Sequence, residues 1–179
     1  MKADWPSENV LLGLLAEKPM HGYELAQRAH DDEALRAIWR IERSEVYFLL
    51  GKLNKCGYVG ESSEQAGNGP ARVVYGLTEA GREALNRWLR TPEQYPRNLR
   101  SALLARVYLA LRQDPQIALN LIDAQREVLE DWLAHARQRT FDDQVVAVVH
   151  NFRAAQVEAI LKALDQLRNL AVSRQEIAQ

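Results

Sequence analysis

Between Arg40 and Lys55 the chain gathers side chains suited to gripping a polyanion, Arg40, Arg43, Ser44, Tyr47, Phe48, Lys52 and Lys55, with the acid Glu45 among them. A guanidinium presents a planar fork of donors that meets two acceptors at once. An ammonium is a point charge that neutralises phosphate without reading its surroundings. From Arg36 to Lys55 five bases stand against two acids, in a chain whose formal net charge is −1. A basic element inside a near-neutral protein fits phosphate contact at one place rather than the coating of nucleic acid. The plainer alternative is a solvated helix flank, but two aromatics are interleaved with the charges, and aromatics on an exposed face call for a partner.

Other chemistries find less support. The sequence has no glycine-rich phosphate loop, nucleophile elbow, HExxH or cysteine pair, and His21, His30, His135 and His150 lack metal-ligand spacing. No catalytic residue, metal or cofactor is therefore expected. Asp142-Asp143 stand at an expected helix start and read as capping residues. Cys56 is the single cysteine, which excludes an intrachain disulfide and suits a reducing compartment; it is expected to be a buried thiol. The sequence carries neither a spanning apolar run nor a basic lead with a cleavage site, so no membrane contact and a cytoplasmic location are expected. At 179 residues, 47% hydrophobic and 26% charged, the chain can fold as one ordinary domain or two small ones.

The basic stretch needs an element to hold it. Val46, Leu49, Leu50 and Leu53 fall at i, i+3, i+4 and i+7, predicting a helix with one buried side that stops near Gly57. Upstream, Val10, Leu11, Leu14 and Leu15 predict a first helix capped by Ser7 or Asn9 and ended by Pro19. A second opens at His21-Gly22-Tyr23, with Tyr23, Leu25, Ala26 and Ala29 as packing residues. Leu35, Ile38 and Trp39 read as a connection sealed onto the core. Downstream, Tyr58 to Ser63 and Arg72 to Leu77 predict two strands, with Val73, Tyr75 and Leu77 on one face and the turn residues 65–70 at the tip. Thr78 then caps a helix buried through Leu85, Trp88 and Leu89. Three helices, a two-stranded wing and a linking helix are the order of a winged helix-turn-helix.

The segment TPEQYPRN, residues 91–98, reads as a linker, placing a winged domain at 1–92 and a helical domain at 93–179. In the latter, one helix carries Leu104 and Tyr108 and ends at Asp114-Pro115. A second carries Leu121, Leu129 and Trp132, and a long third runs from about Phe141 past Leu170. Three such helices enclose little core alone, so their apolar faces predict burial against a second copy. The residues expected there are Leu104, Tyr108, Val145, Val149, Phe152, Ile160, Leu164 and Leu167. The fold class expected is mostly α: a winged helix-turn-helix followed by a helical dimerisation domain.

The chain resembles PadR-type transcriptional regulators in Leu11, Leu14 and Leu15, in Pro19-Met20-His21-Gly22-Tyr23-Glu24, and in Val46-Tyr47 with Leu50, Leu53 and Gly57. The resemblance continues through Arg72-Val73-Val74-Tyr75-Gly76-Leu77-Thr78-Glu79-Ala80-Gly81-Arg82. It covers residues from about 8 to 90. The remainder is similar in pattern to the virulence-activator-like dimerisation region that such regulators often carry. Two places depart from the family: Glu42-Arg43-Ser44-Glu45 stand where many members have serine, proline and glycine, and the wing at 63–70 has fewer bases than one that grips phosphate strongly. The resemblance implies a homodimer on a pseudo-palindromic double-stranded operator, often a repressor released by a small-molecule effector.

On a winged helix, the start of the central helix enters the major groove, where base edges are distinct. Arg43 and Ser44 are then expected at base edges, and Glu45 either accepts from cytosine, pairs with Arg43 or is simply solvated. Tyr47 either packs or reaches phosphate, and Lys52 and Lys55 meet the backbone. Asn68, Gly69 and Arg72 bring the hairpin toward the minor groove. The rival reading is a winged-helix adaptor for protein partners; it calls for an apolar or acidic outward face on the central helix, where this one is basic.

Overall fold

The computed structural model describes residues 6–64, 72–95, 99 and 101–177. Helix α1, Pro6–Glu17, lies at the centre. Its run from Val10 to Leu15 is buried on nearly every side, which suits an apolar stretch with no polar face. Proline at the first position begins it without losing a needed donor. Ser7 and Asn9 therefore lie inside the helix and not at its cap, and the Ser7 hydroxyl instead accepts a 2.9 Å bond from Trp39 Nε1.

Strand β1, Met20–His21, leads into α2, Gly22–Asp31. The stretch expected as a connection holds a short helix, α3, Glu33–Ile38. Asp32 starts it by accepting from the Leu35 amide at 2.8 Å, a local cap in a stretch too short for periodicity to reveal. Helix α4, Arg43–Lys55, follows and buries Val46, Leu49, Leu50 and Leu53 as the spacing predicts. Its end is fixed by Gly57 at φ +75, with Gly57 N donating to Asn54 O and Tyr58 N to Leu53 O.

Strands β2, Val59–Glu64, and β3, Arg72–Leu77, form the hairpin, and β1 adds to the other side of β3, giving the antiparallel order β1-β3-β2. Tyr75 and Leu77 pack against the core, but Val73, nearer the tip, is exposed. Helix α5, Glu79–Arg90, is capped by Thr78, whose hydroxyl accepts from Gly81 N at 3.1 Å and donates to Gly57 O at 2.6 Å. Gly81 is obligatory: a Cβ there would lie 2.0 Å from the Tyr58 carbonyl oxygen.

Helices α6, Ser101–Gln113, α7, Pro115–Arg137, and α8, Gln144–Ile177, complete the chain. Asp114 caps α7 at the expected Asp-Pro junction. Helix α6 packs on α1, where a Cβ on Gly13 would lie 2.8 Å from Leu109, so the winged helix and the helical region share one core. Helices α7 and α8 form an antiparallel pair. Val157, Leu164 and Ala171, seven residues apart, are buried in the chain, and Asp123–Arg168, Arg126–Asp165 and Arg137–Glu158 join the two helices. Two expectations about burial are corrected. Tyr23 is 64% exposed rather than packed, and Cys56, at the outward end of α4, is exposed rather than buried.

Candidate nucleic-acid interface

Helix α4 turns its four aliphatic residues inward, and this fixes what it shows to solvent: Arg43, Ser44, Tyr47, Phe48, Gly51 and Lys55, with Glu45 half-buried. Glu42 occupies the N-cap without a side-chain bond, so the first-turn amides keep their capacity to meet an anion. Arg40, just before the helix, pairs with Glu42 at 2.9 Å, both well exposed; a pair of this kind contributes little and breaks readily. Tyr47 is 51% exposed, and a Cβ on Gly22 would come within 3.1 Å of its ring. The glycine of the Gly-Tyr motif thus gives Tyr47 its seat across α2 and α4. Phe48 is 72% exposed.

The two lysines behave differently. Lys55 is exposed at the last turn, whereas the Lys52 ammonium lies 2.5 Å from the Glu8 carboxylate, which is buried in the first turn of α1. Its charge is engaged from inside the protein, an arrangement that a spacing of forty-odd residues concealed. Asn54 donates to Glu61 at 2.6 Å and ties α4 to the hairpin. Asn68 and Gly69 lie outside the described residues, and Arg72 is placed only as the first residue of β3, opposite Glu64.

The residues expected at a dimer surface separate into three places. Leu104, Ile160, Leu164 and Leu167, with Leu99 and Leu103, line a groove of about 280 Å³ between α6 and α8. Within this groove Leu164 is itself buried. Val145, Val149 and Phe152 lie exposed on the first turns of α8 beside Val146 and Val148. Tyr108 belongs to neither set: its hydroxyl donates to Asp32 at 2.7 Å and accepts from Arg112 at 2.8 Å.

No local pattern in the sequence marks the cluster around Tyr108. Arg112 bonds Glu17 at 2.6 Å and Asp32 at 2.7 Å, and Arg28 reaches Glu17 at 2.9 Å. Burial works against the Arg112 charge, but the bonds to Glu17 and Tyr108 outweigh it and raise its pKa above the ordinary arginine value. Burial, reinforced by Asp32, pushes the Tyr108 hydroxyl upward. Asp32 therefore caps α3 with one oxygen and anchors α6 with the other. Partners 76 and 80 residues apart leave no local signal.

Among the described residues no group of three or more His, Cys, Asp or Glu could hold a metal ion, and no helix is long and apolar enough to cross a membrane.

Residues 11–87 match the model of the transcriptional regulator PadR-like family. The negative transcriptional regulator PadR of Bacillus subtilis is 26% identical over 98 residues, covering 55% of this chain and 53% of that protein. The probable transcriptional regulator Rv1176c of Mycobacterium tuberculosis is 27% identical over 84 residues, covering 47% and 43%. The chain thus spans about half the length of the curated relatives it matches. Among solved structures, Bacillus subtilis PadR in complex with operator DNA has a TM-score of 0.45 at 19% identity, covering 90% of this chain and 97% of that one. The same protein in complex with p-coumaric acid gives 0.44 at 18%, covering 93% and 99%. The PadR-like regulator BC1756 of Bacillus cereus gives 0.44 at 21%, covering 96% and 99%.

Proposed function

We propose that this chain is a PadR-like transcriptional regulator that binds a double-stranded operator as a homodimer. Helix α4 lies in the major groove and the β2–β3 hairpin follows the backbone alongside. The observation that carries this reading is the outward face of α4, which sets Arg43, Ser44 and Lys55 around two exposed aromatics on a helix whose N-cap residue, Glu42, makes no side-chain cap bond. Arg43 meets a base edge through two bonds, guanine being the natural partner, with Ser44 and Glu45 beside it. Tyr47 and Lys55 position the helix on phosphate, and Arg40 joins them by releasing Glu42. Lys52 holds α4 on Glu8 and reaches phosphate only by leaving that carboxylate. Asn68, Gly69 and Arg72 bring the wing toward the minor groove.

The second copy covers the α8 patch of Val145, Val149 and Phe152 and the groove of Leu104, Ile160, Leu164 and Leu167, in the manner of a virulence-activator-like dimerisation domain at 93–179. Repression relieved by a small molecule is the regulatory mode proposed, and p-coumaric acid bound to a relative's structure is its precedent. The site proposed for that molecule is the cleft of about 370 Å³ walled by Glu17, Arg82, Asn86 and Arg112, where α1, α5 and α6 meet. The chain works in the cytoplasm and carries no enzymatic activity.

The test is a salt titration of binding to DNA from upstream of the chain's own gene, against random duplex of equal length. The reading expects a preference of about a hundredfold or more at two chains per site. Equal weak binding to both duplexes, lost near physiological salt, would contradict it and favour the protein adaptor.

A further inference from the structure

We infer that Phe48 is a specificity-determining residue that reads the C5-methyl group of a pyrimidine, thymine in ordinary DNA. The inference rests on the DNA-binding reading and names what that surface selects. Ser44, Phe48, Gly51 and Lys55 follow one another at steps of four, three and four, so they form a single stripe on the side of α4 away from the core. Within it Phe48 is the one large apolar projection, and 72% of its surface lies in solvent.

Gly51 supplies a second, independent observation. A Cβ at this position would meet nothing within 4 Å, and Gly57 is the only glycine of positive φ among the described residues. Neither packing nor backbone conformation within the chain calls for glycine in the middle of α4, where it destabilises the helix relative to alanine. A bare position one turn after a protruding ring lets the helix backbone approach a flat or convex surface, with the ring as its one probe. The basic residues Arg43 and Lys55, exposed toward the two ends of α4, specify that surface as anionic. In the major groove of DNA the edges of the bases are donors and acceptors save for the thymine methyl. A phenyl ring held there has that group as its apolar partner.

The test begins with a duplex selected from a random pool by the full-length wild-type chain. Each thymine is then replaced singly by deoxyuridine, which removes the methyl and changes nothing else in the pairing. One thymine in each half-site is expected at which the replacement weakens wild-type binding about fourfold, the value of one buried methyl. Phe48→Ala, confirmed folded by circular dichroism, is expected to bind thymine and uracil duplexes alike, and Phe48→Leu to keep part of the difference. Equal wild-type affinity at every position would overturn the inference and leave the regulator reading standing, and this arm needs no variant. Full discrimination retained by Phe48→Ala would also overturn it. A wild-type chain that selects no duplex would overturn the regulator reading, and the inference with it.

Discussion

Helices α4 and α8 each bury one side in the chain and leave apolar residues on the other, yet the company those residues keep is opposite. On α4 the exposed Tyr47 and Phe48 stand among Arg43, Ser44, Gly51 and Lys55; on the first turns of α8 the exposed Val145, Val146, Val148, Val149 and Phe152 form an almost purely apolar patch. Apolar surface alone says only that a partner covers it. Charge decides which partner: bases beside aromatics fit a polyanion, whereas an aliphatic patch without charges fits a self-complementary surface, as in a two-fold dimer.

Substitutions can break this contrast at either end. The largest effect is expected from Val149→Asp with Phe152→Asp. Both residues are exposed, so the fold should survive, but charge repulsion across a two-fold interface would separate the copies. Sedimentation should show monomers, and operator affinity should drop by about a hundredfold or more as the second half-site is lost. A dimer that persists would remove α8 from the interface. Next, Arg43→Ala is expected to cost about 1–3 kcal/mol on specific duplex with little change on random duplex. Equal loss on both would make Arg43 a phosphate contact.

Glu8→Gln sharpens the same contrast from inside the protein. It leaves Lys52 beside a neutral amide, which should lower thermal stability by about 1–2 kcal/mol, and it frees the ammonium for phosphate, steepening the salt dependence by about one unit. An unchanged slope would show that Lys52 stays away from DNA. Tyr108→Phe should be the mildest: it removes the bonds to Asp32 and Arg112, which still bond each other, for about 1 kcal/mol in a denaturant titration, with oligomeric state unchanged. A shift toward monomer would return Tyr108 to the dimer surface.

What could be read from the sequence follows interaction range. The inward stripe of α4, its stop at Gly57, the Thr78 cap and the Asp114-Pro115 junction are set by neighbours within a few residues, and the hairpin pairs two strands adjacent in the chain, so spacing shows them. Helix α3 leaves no trace because six residues carry no period, and its cap, Asp32, stands between two other acids, Asp31 and Glu33. The Glu8–Lys52 pair and the cluster of Glu17, Asp32, Tyr108 and Arg112 join residues far apart in sequence, so neither partner announces the other. The exposure of Tyr23 and Cys56 depends on which side of a helix the neighbours occupy, which residue type alone does not settle. At the candidate site, residue types were legible along α4, but the division of labour between Lys52 and Lys55 was not.

Whether the outward face of α4 reads base edges in the major groove is decided by replacing guanine with 7-deazaguanine throughout the duplex from upstream of the chain's own gene. This removes the N7 acceptor from the major groove and leaves the minor-groove edge and the phosphates intact. Wild-type affinity is expected to fall about tenfold or more, and Arg43→Ala to bind modified and unmodified duplexes equally. Wild-type binding that is indifferent to the replacement would contradict base reading by α4.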